Sequence, residues 1–146
     1  MNKEQLIKNI ASLADKWEGL TIEKQEDKVF EEYNELLEAK KSGDIEEIKK
    51  ELADVVITMM VMDKLQGVFN VADWILVVDV ITSPKGIYTL SFQDTVSYYI
   101  LYKLKQTATQ HNLNVWECLQ YKYNIVAKRD GKVINGTFVK KENHGK

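Results

Sequence analysis

Residues 31–54 read EEYNELLEAKKSGDIEEIKKELAD, and the reading of this stretch decides the fold. Val29, Tyr33, Leu36 and Leu37 recur at the spacing of one helix face. The run KSGD then halts that pattern, since glycine and small polar residues favour turns. Asp44 stands three residues before Glu47, a capping-box arrangement that predicts a new helix from Ile45. The expectation is therefore two helices joined by a tight turn, one from a Thr21 cap to about Lys41 and one from Ile45 to about Gln66.

Working outward, Leu6, Ile10, Leu13, Ala14 and Trp17 predict a first helix over residues 3–17. Residues 71–90 are ambiguous, because VADWILVVDVI is rich in β-branched residues yet suits a buried helix equally well. TSPKG reads as a turn. Ser91 with Asp94 suggests the start of a helix through about Gln110, and Asn114 with Glu117 another to about Lys128. The tail GKVINGTFVKK alternates around Asn135-Gly136, a strong hairpin signal. The expected fold class is all-α, a helical bundle with a small C-terminal β-hairpin.

Composition narrows the function. The 146 residues suit a single domain, and 45% hydrophobic with 29% charged content is enough to build a core and argues against disorder. A net charge of −2 gives no reason to expect nucleic acid as a partner. The lone Cys118 excludes an internal disulfide and reads as a packing residue in a reducing cytosol. With two histidines besides, the chain also lacks a convincing zinc set. The charged N-terminus lacks the apolar block of a signal peptide, and the run VVITMMVM is far short of the roughly 20 residues needed to span a bilayer. A cytoplasmic protein without a membrane segment is expected.

The acids of the opening stretch divide into two sets. Glu38, Glu46 and Glu47 read as a solvated surface, with Lys49 and Lys50 available for pairing. Asp54 is different, being the only charge between Leu52 and Met62. On the helical wheel Glu51 and Asp54 fall among Val55, Thr58, Val61 and Met62, within an apolar face. Glu32 and Glu35 flank the apolar stripe of the preceding helix, with Glu31 more peripheral. Desolvating a carboxylate costs several kcal/mol or more, so such groups need a cation, a hydrogen-bond network or a raised pKa. A buried salt bridge is one solution. Antiparallel packing through KSGD offers another: it lets the two acid pairs face one another across a cation, and magnesium suits that set because it takes hard oxygen ligands.

The pattern E-E-x-x-E at 31–35 followed by E-x-x-D at 51–54 resembles the MazG-like all-α nucleoside triphosphate pyrophosphohydrolases. The run NVWECLQYKYNIVAKRDGKVINGTFVKKE is similar to the tail of small MazG-like proteins, a helix leading into a Gly-Lys, Asn-Gly hairpin. The resemblance implies one MazG-like domain over 1–146, with metal-site helices at about 22–66 and C-terminal helices and hairpin at about 91–142. Residues 67–90 depart from the pattern of small family members and stand as an insertion. The resemblance also implies hydrolysis of a nucleoside triphosphate to the monophosphate and pyrophosphate. Magnesium, or manganese as a substitute, would be held by Glu32, Glu35, Glu51 and Asp54, with Glu31 as a further ligand or the group orienting the attacking water. Lys122, Lys128, Arg129 and Lys132 are candidates to hold phosphates, Asn124 to hydrogen-bond substrate, and Trp17 and Gln25 to line the same pocket. Trp17 can stack on a base, although an aromatic on a helix face is more often core. Relatives assemble as dimers or tetramers, so a homo-oligomer is expected. A non-catalytic helical interaction protein, and a dUTPase or phosphoribosyl-ATP pyrophosphohydrolase-type relative, are the competing readings.

Overall fold

Asn2, Thr21, Asp44, Asn70 and Asn114 each turn a side-chain oxygen toward the first free amides of a helix. Such caps satisfy backbone donors that the helix itself cannot reach. The computed structural model describes residues 1–17, 19–83 and 95–140. Among these the helices are α1 (Lys3–Ala11), α2 (Leu13–Lys16), α3 (Ile22–Ser42), α4 (Ile45–Leu65), α5 (Val71–Thr82), α6 (Thr95–Gln110) and α7 (Val115–Val126). Strands β1 (Gly131–Ile134) and β2 (Thr137–Lys140) close the chain as one antiparallel hairpin. The protein is an all-α bundle with a small C-terminal hairpin.

The α3–α4 pair is the spine. Gly43 ends α3 in the left-handed conformation at φ +74°, and its amide donates back to the Ala39 and Lys40 carbonyls. Asp44 then starts α4 by accepting from the Glu46 and Glu47 amides at 3.0 and 3.3 Å. The reverse half of the capping box is replaced, since the Asp44 amide donates to Ser42 Oγ at 3.3 Å. Two residues thus reverse the chain and lay α4 along α3. Leu52, Ala53, Val55, Val56 and Met60 of α4 are wholly buried, because α1, α2, α3 and α7 all pack on this helix.

The expected first helix is broken in two at Ser12. Its hydroxyl donates to the Lys8 and Asn9 carbonyls at 2.8 and 3.1 Å, a back-bonding that competes with regular helix and bends it. The ambiguous segment after residue 70 resolves as helix α5, burying Trp74, Val77, Val78, Val80 and Ile81. Asn70 caps it by accepting from the Asp73 amide, and Trp74, Val77, Val78 and Ile81 keep helical spacing despite their β-branched character. Asp79 ties α5 to its neighbours, accepting from Lys3 Nζ at 2.9 Å and Trp116 Nε1 at 2.8 Å. These two donors hold its carboxyl below its ordinary value against the upward push of burial. The turn expected at Pro84–Gly86 and the cap expected at Ser91–Asp94 lie outside the described residues. No helix among the described residues is long and apolar enough to cross a membrane.

Gly43 stands in open space, so a methyl group there meets nothing but its own backbone. Gly43→Ala is therefore expected to lower stability by about 1–2 kcal/mol through left-handed strain alone. Urea unfolding of the two proteins measures it, and an unchanged midpoint would show the turn is not held in this conformation.

Candidate functional site

The α3–α4 turn brings the two acid pairs together. Carboxylate oxygens of Glu31, Glu32 and Glu35 lie within 4.8 Å of one another, and so do those of Glu32, Glu51 and Asp54. Glu32 belongs to both groups and is only 7% exposed. All five line one cleft of about 440 Å³, together with Trp17, Gln25, Lys122 and Arg129. The other acids of the stretch behave as surface. Glu38, Glu46 and Glu47 are exposed and pair with Lys41, Lys49 and Lys50 at 3.3–3.5 Å.

Charge at this cluster is under-compensated. Lys122 is 8% exposed, and its Nζ reaches Asp54 Oδ2 at 3.2 Å, so Asp54 does have the buried salt bridge that the sequence left open. Lys28, one turn before Glu32, sits 3.4 Å from it and 3.3 Å from Glu31. Burial works against the Lys28 ammonium, but Glu32 and Glu31 outweigh it and hold its pKa above the ordinary value. These two cations do not satisfy the cluster. One oxygen of Glu32 and one of Glu51 are buried with no hydrogen-bond partner among the described residues. Burial and the neighbouring Asp54 charge push Glu32 up to about 8 and Glu51 up to about 7. Asp54 is raised as well, because burial outweighs the pull of Lys122 and Arg129.

The donor set fits a hard divalent cation. It consists of carboxylates only, it gathers more negative than positive charge, and two of its buried oxygens lack a partner. Glu32, Glu35, Glu51 and Asp54 would hold such a cation, whose charge would offset the cost of burying them.

The remaining wall is built by the chain's far end. The hairpin contributes Thr137, Phe138, Val139 and Lys140 to the cleft. Phe138 stacks on Trp17 with ring centroids 4.3 Å apart and 24° between planes. Gln25 is buried and donates its amide to the Thr58 carbonyl at 3.1 Å. Of the residues singled out from sequence, Asn124, Lys128 and Lys132 are not brought to this cleft. Asn124 is exposed and accepts from Gln120, and Lys128 and Lys132 are exposed. A basic helix end and hairpin strand turn some of their cations to solvent, and the spacing of α7 selects Lys122 instead. Sequence reasoning missed Lys28 and Phe138. Lys28 carried a signal, standing four residues before Glu32. Phe138 carried none, because its place depends on how the hairpin folds back onto α2.

A family model described as phosphoribosyl-ATP pyrophosphohydrolase matches residues 3–79, just over half of the chain. The match takes in all five clustered acids together with Trp17, Gln25 and Lys28, and leaves out Lys122, Arg129 and the hairpin. No curated protein and no solved structure matches the chain.

The raised carboxyl values fix the sign of a pH effect. Glu32 titrates near 8 when folded against an ordinary 4.5, and Glu51 near 7. Between those limits the folded protein holds more protons than the unfolded chain, so stability present at low pH is lost as pH rises. The metal-free protein is expected to show a falling Tm from about pH 5 to pH 8, and Glu32→Gln is expected to flatten that fall. Thermal unfolding across the range decides it; a Tm that rises over the same interval would contradict the electrostatics described.

Proposed function

The chain belongs to the phosphoribosyl-ATP pyrophosphohydrolase family, within the all-α nucleoside triphosphate pyrophosphatase (MazG-like) superfamily, and on that premise we propose that it hydrolyses a nucleoside triphosphate to the monophosphate and pyrophosphate. The observation that carries this reading is the acid cluster with its two partnerless buried oxygens. A cluster of that kind has little use in a purely structural helix pair, where apolar residues of similar size would be more favourable.

Glu32, Glu35, Glu51 and Asp54 would hold the cation, which we take to be magnesium with manganese able to replace it. Bound there, such a cation would supply Lewis-acid stabilisation of charge on the phosphates and make water more acidic. The chain's own groups do the rest. Glu31, at the open edge of the cluster, orients the attacking water toward the α-phosphorus. Lys122, which pairs with Asp54, and Arg129 beside it hold the phosphate oxygens and neutralise charge on the leaving pyrophosphate. Attack by water needs no covalent intermediate. Lys128, Lys132 and Asn124 do not line the cleft, and the chemistry proposed here assigns them no role.

The family description also favours phosphoribosyl-ATP as substrate, which undergoes the same cut between the α- and β-phosphates. We further propose that the chain works as a homodimer or homotetramer in the cytoplasm. Exposed apolar side chains on α3 and α6, among them Phe30, Leu37, Tyr99 and Tyr102, give a face for such assembly. Tyr99 of that face packs edge-on against Tyr33 at 6.5 Å, linking the two helices.

The test is pyrophosphate release across canonical and modified triphosphates and phosphoribosyl-ATP, with and without magnesium. Glu35→Gln and Asp54→Asn are each expected to lower kcat/KM by about 100-fold or more. Lys122→Gln is expected to raise KM, and in the metal-free protein to lower Tm by leaving Asp54 unpaired. Activity surviving both chelation and Glu35→Gln would contradict the mechanism. A folded, magnesium-loaded protein that cleaves none of these nucleotides would favour a non-catalytic interaction protein.

A further inference from the structure

The proposed chemistry uses the acids together with Lys122 and Arg129, and it leaves Lys28 without a role. Lys28 lines the same cleft. Its Nζ stands 3.3 Å from Glu31 Oε1 and 3.4 Å from Glu32 Oε1. These are the acids that chemistry can least spare. Glu32 belongs to both groups of converging carboxylates, and Glu31 is the group that would orient water. One lysine therefore sits on a ligand and on the water-orienting acid at once.

The two lysines paired with the cluster differ in how firmly they are held. Lys122 reaches Asp54 from another helix, and the two side chains are 10% and 16% exposed. A cation buried that deeply has little room to move, and removing it would strand Asp54. Lys28 is 35% exposed and reaches its partners from one turn away on its own helix. Pairs of that kind contribute little to stability, and a lysine carries its charge on a flexible four-carbon stem. Nor does Lys28 satisfy Glu32 in full. It meets Oε1, while Oε2 is buried with no hydrogen-bond partner among the described residues. A single, part-exposed positive charge thus holds acids that a doubly charged ion would hold better.

We propose that Lys28 is a stand-in cation: it holds Glu31 and Glu32 until a divalent ion binds the cluster, and that ion must displace it. The proposal rests on the cation-site reading given above and deepens it. While Lys28 is in place, Glu32 keeps a partner and the acids stay assembled. Two positive charges on one carboxylate repel, and the lysine yields because its stem is flexible. The same contact therefore stabilises the metal-free protein and weakens metal binding. Its release also frees Glu31 to accept from water.

The test titrates magnesium into the full-length, metal-free protein by calorimetry, for wild type, Lys28→Met and Lys28→Arg. Each Tm is measured with and without saturating magnesium. The titration is run near pH 9, above the values of Glu32 and Glu51, so that proton release does not mask the effect. Lys28→Met keeps the apolar stem and removes the charge, and is expected to bind magnesium about fivefold more tightly than wild type. Its metal-free Tm is expected to fall by about 3 °C, and saturating magnesium to close that gap. Lys28→Arg keeps the charge and is expected to bind magnesium no more tightly than wild type. If Lys28→Met fails to fold without metal, Lys28→Gln takes its place. An affinity unchanged or weakened by losing the charge would overturn the proposal. So would a Tm deficit that persists in saturating magnesium, the mark of a lysine with a purely structural role. Folded proteins that bind no magnesium at all would count against the cation site itself, whereas binding indifferent to Lys28 sinks only the stand-in.

Discussion

Carboxylates cannot be packed against an apolar helix face without something positive to answer them, and that constraint organises this protein. Glu32 is nearly buried, and Glu51 and Asp54 lie among the apolar residues of α4. The α3–α4 turn creates the problem by facing the acids. The rest of the chain answers only part of it, with Lys28 from the same helix and Lys122 from α7. The unanswered part is two oxygens with no partner among the described residues and two carboxyl groups pushed up to about 8 and about 7. A structural ion-pair network would be expected to close on itself. This one stays open toward a cleft.

The chain divides its labour along its length. The acids, with Lys28 and Trp17, lie in the region that matches the family, while Lys122, Arg129 and Phe138 come from α7 and the chain beyond it. Lys16 Nζ donates to the Ala127 carbonyl at 2.6 Å, and the Thr21 amide donates to Gly136, so the two regions are stitched at the cleft's rim. In the proposed chemistry, cation binding falls to α3 and α4, and phosphate handling to Lys122 of α7 and Arg129 just after it.

The helix pair and its acids were legible because periodicity and capping are local signals. Gly43 and Asp44 mark the turn, and the wheel alone separates Asp54 from Glu46 and Glu47. The hairpin was legible for the same reason, since Asn135 and Gly136 both adopt positive φ at its tip. What was not legible depends on tertiary placement. Composition left α5 undecided, because a helix buried on most sides loses the amphipathic pattern that would mark it. Ser12 breaks the first helix through a hydroxyl bond that spacing does not reveal. Among the basic residues of the C-terminal part, sequence could not tell Lys122, which turns inward, from Lys128 and Lys132, which do not. Phe138 was invisible until the hairpin folded back onto Trp17.

The central claim is that the acid cluster is a cation site held partly protonated until the ion arrives. Calorimetric titration of magnesium or manganese into the metal-free protein near neutral pH, repeated in buffers of different ionisation enthalpy, measures the protons exchanged on binding. The account predicts saturable binding with release of protons, because Glu32 and Glu51 must deprotonate to become ligands. Absence of binding, or binding with no proton release, would contradict it.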